Sequence, residues 1–498
     1  MFDGILIALQ TLVTPIGALF IFAGSFLGMV LGAIPGLSGG TLTMLIMPMI
    51  YSMDPALSMA LLVGILVGSV SGGGIGSILL GIPGQGSSIV TVWDGYEFTK
   101  KGDPVRALSV CVVSNFIGTV PGLVIAMLLC PVLAQWAVKL GPWEYFGLCF
   151  CALAMIVGLS KGNTIKGLIA ICFGALMGSM GVAPICGNLR MTFGISQFAG
   201  GVDLITCMLG LFATSRMLME YTRQDKTEDS TNIKISKFRF PKKDILENKG
   251  NFIRSLITGL FIGFLPGLGS NVSTPLAYSN EKKRSKNPEE WGHGAIGGVI
   301  APETANNAGI GGALIPMLSL GIPGDNTTAM FLAALTIQGV TCGPLLIQNN
   351  PDVYYSVFVG AIVAGIFVLL VQIFCMPIFP ALLKIPYHYL YPAIITICFM
   401  GGYLSTGSMF SLYITLIFCL IGVAMQYFGI PQMPFMMGFI LCELLETNLR
   451  QSLNFGNGWA SYFDHPLALA FIVIGLIILI RQILEPIRGS GKKKANTN

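Results

Sequence analysis

Apolar residues run along the chain in long blocks, at about 16–34, 56–82, 107–135, 143–160, 164–182 and 201–220. After a hydrophilic connector they resume at about 251–266, 294–322, 326–347, 353–382, 390–403, 408–428, 431–447 and 466–487. A membrane-crossing helix takes roughly 20 apolar residues, so the pattern predicts an all-α polytopic membrane protein of about ten to twelve transmembrane helices. Several blocks contain a Pro-Gly pair, where proline removes a backbone donor and stops a helix. Re-entrant or broken helices are therefore expected as well.

The same elements recur in order, the signature of internal duplication. Gly32-Ala33-Ile34-Pro35-Gly36-Leu37-Ser38 matches Gly263-Phe264-Leu265-Pro266-Gly267-Leu268-Gly269 at an offset of 231. Leu80-Gly81-Ile82-Pro83-Gly84 recurs as Leu320-Gly321-Ile322-Pro323-Gly324 at an offset of 240, and the difference is about the size of a charged segment, 281–290, that the first half lacks. A weaker echo pairs Phe193-Gly194-Ile195-Ser196-Gln197 with Phe428-Gly429-Ile430-Pro431-Gln432.

Charge gives each half a direction, because short basic loops mark the cytoplasmic side. In the first half Lys100, Lys101 and Arg106 follow the Leu-Gly-Ile-Pro-Gly element, while the loop 51–55 after the first Pro-Gly has no basic residue. In the second half Lys282, Lys283, Arg284 and Lys286 follow Pro266-Gly267, and the loop 348–352 has none. Lys161 and Lys166 likewise face an uncharged counterpart, 404–409. The exchange predicts two inverted-topology repeats, an arrangement characteristic of secondary transporters. The expected organisation is a first transmembrane repeat at 1–222, a basic cytoplasmic connector at 223–250, a second, inverted repeat at 251–465, and an extra helix with a basic cytoplasmic tail at 466–498. Within the second repeat, 251–279 is expected to enter and leave on one side, with its tip at Pro266-Gly267.

Composition agrees with a membrane protein: 54% of residues are apolar and 10% charged, against about 25% charged in soluble proteins. The net charge of +5 is dispersed, and no nucleic-acid surface is expected. The first basic residue is Lys100, so no cleaved leader is predicted. The 12 cysteines lie in apolar runs without a Cys-x-x-Cys pair and read as small core residues. No cofactor or metal centre is predicted; a coupling ion, Na⁺ or H⁺, is left open between the two.

Small polar residues follow each Pro-Gly tip: Gly36, Ser38, Gly39, Gly40 and Thr41; Gly84, Gln85, Gly86, Ser87 and Ser88; Gly267, Gly269, Ser270, Asn271, Ser273 and Thr274; Gly324, Asp325, Asn326, Thr327 and Thr328. Inside a bilayer, broken backbone is tolerated where it is buried in protein or lines a water-filled cavity. Free N–H groups at a half-helix start suit an anion such as a carboxylate, and unwound carbonyls suit a cation. These residues are the candidate substrate site; kinks or close-packing points are the alternative. Asn271-Val272-Ser273 and Asn326-Thr327-Thr328 also spell glycosylation sequons, a weak reading at membrane depth.

Glu303, beside Asn306 and Asn307, stands in an otherwise uncharged apolar run, and an ionisable group at membrane depth is a functional candidate. The three are the candidate cation-coupling residues: Glu303 ligates a cation or carries a proton, or else caps the helix after Pro302. Asp94-Gly95-Tyr96 reads as a turn. Glu443 and Glu446 near Arg450 read as an interfacial charge cluster, and His293, His388 and His465 receive no role.

These motifs resemble the large membrane subunit of the tripartite tricarboxylate transporters, TctA, over essentially the whole chain. The most specific stretches run from Leu80-Gly81-Ile82-Pro83-Gly84 through Trp93-Asp94-Gly95-Tyr96 to Arg106-Ala107-Leu108, and from Leu265-Pro266-Gly267 through Ala301-Pro302-Glu303 and Asn306-Asn307 to Gly321-Ile322-Pro323-Gly324. The resemblance implies no catalysis. It implies a secondary transporter subunit that imports citrate-like tricarboxylates or dicarboxylates across a bacterial inner membrane, driven by Na⁺ or H⁺. The implied partners are a small four-helix membrane subunit and a periplasmic solute-binding protein. Ser38-Gly39-Gly40 stands where many members continue glycine then proline, which leaves the substrate open. A passive carboxylate channel is the rival reading, and an intramembrane protease a more distant one.

Overall fold

The computed structural model describes residues 2–12, 14–34, 39–50, 53–158, 164–223, 235–382, 387–456 and 458–495. Gly36 and Ser38 of the first tip, Lys161, and Lys226 and Lys234 of the connector lie outside the described residues.

Helices α1 (Phe2–Leu12), α2 (Pro15–Ala33), α3 (Gly39–Ile50), α4 (Pro55–Leu80), α5 (Ile89–Lys100) and α6 (Pro104–Ala137) come first. They are followed by α7 (Pro142–Gly158), α8 (Thr164–Gly178), α9 (Leu204–Met208) and α10 (Ser215–Arg223), the last two joined by a π-helical turn, Leu209–Thr214. Beyond the connector come α11 (Lys242–Glu247), α12 (Lys249–Phe264), α13 (Gly269–Arg284), α14 (Gly297–Leu320), α15 (Asn326–Ile337), α16 (Leu346–Asn349), α17 (Pro351–Phe374) and α18 (Phe379–Leu382). The chain closes with α19 (Tyr387–Thr406), α20 (Met409–Tyr427), α21 (Gln432–Phe455) and α22 (Pro466–Ala495). A two-residue antiparallel pair, Gly181–Val182 with Leu189–Arg190, is the sheet among the described residues.

This is an all-α polytopic membrane protein. Among the described residues α2, α4, α6, α17 and α20 are long and apolar enough to span a membrane. Other apolar runs form shorter helices, and α3 and α15 are short because each begins just after a Pro-Gly tip. At 1.5 Å per residue the 12-residue α3 and α15 reach about 18 Å, short of a hydrocarbon core about 30 Å thick.

The ends of these helices follow from their flanking residues. Asp54 caps α4 by accepting from the Ala56 and Leu57 amides, with Pro55 opening the helix, as expected for an N-cap followed by proline. Both α4 and α14 end on a left-handed glycine, Gly81 at φ +68° and Gly321 at φ +73°, the conformation that lets a chain turn sharply after a helix. Asp325 and Thr328 form a capping box at the start of α15, satisfying two amides reciprocally.

Two compact units share the chain, and each draws on both sequence halves: Met1–Gln135 with Met217–Ile397, and Trp136–Arg216 with Cys398–Asn498. In the first unit α2 and α4 press backbone against backbone. Gly24, Gly28 and Gly32 lie on the main chain at Leu61, Ile65 and Ser69, while Gly64, Gly68, Gly72 and Gly76 lie on that at Ile21, Ser25, Met29 and Ala33. Small residues at such interfaces let membrane helices approach closely. Helices α12 and α14 meet in the same manner, through Gly259 on Ala305 and Gly263 on Gly309. The likeness extends to the tips: Gly84 sits on the Gly32 carbonyl as Gly324 sits on that of Gly263, so the sequence echoes occupy matching places. All 24 residues of α14 are buried.

In the second unit α8 and α21 meet through Gly174 and Gly178 on Phe435 and Phe439, and through Gly438 on Ile171. The acidic cluster near Arg450 is built around Glu446, which pairs with Arg190 at 2.6 Å and Arg450 at 2.8 Å. His465 bonds Glu144 at 2.9 Å and stacks on Trp143.

Candidate functional site

The described residues of the four tips, which for the first begin at Gly39, lie in the first unit and meet in pairs. The Gly267 amide donates to the Gly324 carbonyl at 2.8 Å, joining the third tip to the fourth. A Cβ on Gly86 would stand 3.0 Å from Asn271 Oδ1, and one on Gly39 would stand 3.5 Å from Thr327 Cγ2. The second tip thus faces the third, and the first faces the fourth.

The predicted tip residues divide between framework and open groups. Gln85 reaches back to α4, its Nε2 donating to the Ser69 and Val70 carbonyls at 3.2 Å each. Gly39 and Gly40 are buried at the start of α3, with Thr41 buried beside them. Ser270 Oγ donates to the Asn306 carbonyl at 3.2 Å, and Ser273 Oγ to the Ser270 carbonyl at 3.4 Å. Gly269, at φ +49°, packs on the Asp325 Cβ. Asp325 and Thr328 are occupied with capping, and Ser87 is buried. By contrast Ser88 Oγ, Thr274 Oγ1 and Asn326 Oδ1 are buried atoms that find no partner among the described residues. Buried polar atoms are nearly always bonded, so each unpaired one calls for an explanation such as a bound ion, ligand or water.

The three coupling candidates differ from one another. Glu303 is fully buried; its Oε1 accepts from the Thr91 hydroxyl at 2.5 Å. Its Oε2 accepts no N–H or O–H bond and borders Gly74 beside the Cys111 thiol. Ser88 Oγ stands over the adjacent Gly73, so two unpaired oxygens sit over neighbouring glycines of α4. Asn306 is 1% exposed with neither its amide oxygen nor its amide nitrogen bonded. Asn307, in contrast, is saturated: Oδ1 accepts from Ser71 at 2.7 Å and Thr119 at 3.1 Å, and Nδ2 donates to Asn115 Oδ1 at 2.9 Å and the Glu303 carbonyl at 3.0 Å.

Sequence reading had not singled out Ser71, Thr91, Asn115, Thr119 or Gln372. Asn115 and Gln372 both donate to the Ser71 carbonyl, at 3.1 Å, completing a buried network with Asn307. The signal was faint: each is a lone polar residue in an apolar helix, and its partners lie far off in sequence. No Lys or Arg occurs among the tip residues or in α14, whereas the acids Glu303 and Asp325 do. An anion in this site would be met by amides, hydroxyls and helix starts rather than by a cationic side chain.

The family model for the tripartite tricarboxylate transporter TctA family matches residues 18–437. The chain is 31% identical over 424 residues to the uncharacterized 52.8 kDa protein in the TAR-I ttuC' 3'region of Agrobacterium vitis, spanning 85% of this chain and 84% of that protein. It is 34% identical over 231 residues to the uncharacterized protein in the TAR-II ttuC' 3'region of the same organism, spanning 46% of this chain and 96% of that one. No solved structure matches the chain.

Proposed function

The chain belongs to the tripartite tricarboxylate transporter TctA family, and from that premise we propose that it carries a citrate-like tricarboxylate or dicarboxylate across a bacterial inner membrane together with Na⁺ or H⁺. The observation that carries the proposal is Glu303, fully buried with one oxygen that accepts no N–H or O–H bond, near the unpaired amide of Asn306. Burying an unpaired charge is expensive. A carboxylate substrate entering a site that holds acids and no cationic side chain adds to that cost, and a cation travelling with it offsets the cost.

In this reading the four tips supply the substrate site. Half-helix starts and the unpaired Ser88, Thr274 and Asn326 oxygens face the substrate, while Glu303 and Asn306 take the cation. The matching places of Gly84 and Gly324, and the exchange of basic loops between halves, support two inverted repeats with the connector and the C-terminal tail cytoplasmic. A small four-helix subunit and a periplasmic solute-binding protein would complete the system. Uptake of labelled citrate by cells expressing the full system tests the role of Glu303. Glu303→Gln is expected to abolish the dependence of uptake on the cation gradient, and an unchanged dependence would remove Glu303 from coupling.

A further inference from the structure

The Asp94-Gly95-Tyr96 segment is no turn: it lies inside α5, and Asp94 is fully buried. Its carboxylate is saturated by the other half of the chain. Oδ1 accepts the amides of Gly292 at 2.9 Å, Gly294 at 2.8 Å and Ala295 at 2.7 Å. Oδ2 accepts the Tyr278 hydroxyl at 2.7 Å. Successive amides of a turn form an anion-binding concavity, and Gly292 and Gly294 adopt φ of +96° and +101° to make it. The first turn of α14 is moulded on the same group, since a Cβ on Gly298 would collide with Oδ2. The surroundings reinforce the grip. Tyr278 packs edge-on between Trp93 and Trp291, Lys282 donates to the Trp291 carbonyl at 3.1 Å, and Lys101 donates to that of His293.

Asp94 lies three residues from Thr91, so the two share a face of α5. Thr91 holds Glu303, and Asp94 holds the turn that begins the helix carrying Glu303. We propose that Asp94 is a positioning residue: by binding the 292–295 turn it fixes α5 against α14 in the register that brings the Thr91 hydroxyl to Glu303. The inference deepens the reading of Glu303 as the coupling group and rests on it for its effect on transport.

Two measurements separate the geometry from that reading. The first is a double-mutant cycle on thermal unfolding of the full chain, using Asp94→Ala and Thr91→Val. Losing Asp94 should remove the effect of Thr91→Val, so the two shifts are expected to be non-additive; additive shifts would overturn the positioning role. The second is labelled citrate uptake by the full system against the Na⁺ and H⁺ gradients. Asp94→Ala should raise the half-saturating cation concentration about fivefold, as expected for one lost membrane hydrogen bond, with the double variant no worse than about twofold beyond Thr91→Val. Asp94→Asn keeps an oxygen for the three amides and turns an amide toward the Tyr278 hydroxyl, which can accept. It should therefore restore near-normal coupling. If Asp94→Asn folds yet fails as completely as Asp94→Ala, the charge rather than the positioning matters and the proposal falls. Should Asp94→Ala not fold, Tyr278→Phe takes its place in the cycle with a smaller expected coupling, and an additive result there sinks the proposal equally. If Glu303→Gln leaves ion dependence intact, the coupling reading fails while the unfolding cycle still decides the geometry.

Discussion

The Gly267 amide donates to the carbonyl of Gly324 at 2.8 Å, so a main-chain hydrogen bond ties the two tips of the second half. A side chain has no room there: a Cβ on Gly324 would lie 2.7 Å from Ala313 Cα and 2.9 Å from the Gly263 carbonyl oxygen. Gly324→Ala should destabilise the protein by about 2 kcal/mol through overpacking, read as a lower unfolding temperature of the purified chain. Gly200→Ala, where a Cβ meets nothing within 4 Å, should be neutral. Equal shifts for the two would contradict the packing account.

Adjacent asparagines should behave oppositely. Asn307→Leu strips partners from Ser71, Thr119 and Asn115 and should cost about 2–4 kcal/mol of stability. Asn306, with no side-chain bond to lose, should tolerate leucine with little change in unfolding while citrate uptake falls at least about tenfold. Matching stability losses in the two variants would place Asn306 in the framework instead.

At the fourth tip, Asn326→Leu should lower citrate uptake by about tenfold or more, with membrane insertion intact. Asn271→Leu at the third tip, joined to the fourth by the Gly267–Gly324 bond, should do the same. Normal uptake in both would sink the assignment of the tips as the substrate site.

Arg254 on α12 grips Glu281 on α13 with two bonds, at 2.7 and 2.6 Å. Glu281 is buried but the arginine side chain is 44% exposed. Arg254→Ala strands the carboxylate and should cost about 1–3 kcal/mol, the full penalty being reduced by solvent. Adding Glu281→Gln should recover part of that loss. A double variant less stable than Arg254→Ala would show that the pair is not the source of the effect.

The tips and the buried acid were legible because they break a local rule. Proline and glycine interrupt apolar runs, and Glu303 is a charge where none is expected. The left-handed glycines after α4 and α14 are Gly81 and Gly321, not the tip glycines Gly84 and Gly324 that the Pro-Gly pattern pointed to. Asp94 misled for a physical reason: Asp-Gly is a turn signal, but four donors contributed from residues 278 to 295 hold the carboxylate inside a helix. Thr91, Ser71, Asn115 and Gln372 stayed hidden since a single hydroxyl or amide leaves no periodic trace. The span count also depended on the tips, because composition measures apolar length and is blind to where a helix stops.

The Asp94 clasp bears on biosynthesis. Every donor to this carboxylate comes from a stretch made nearly 200 residues after it, an interval of roughly 10–40 s at ordinary translation rates. A nascent chain that ends before Tyr278 carries Asp94 with none of its four native partners, and an unpartnered carboxylate is costly in lipid. The four bonds to Asp94 therefore form only after the second half has been made, so the clasp between α5 and the 292–295 turn is completed late in synthesis.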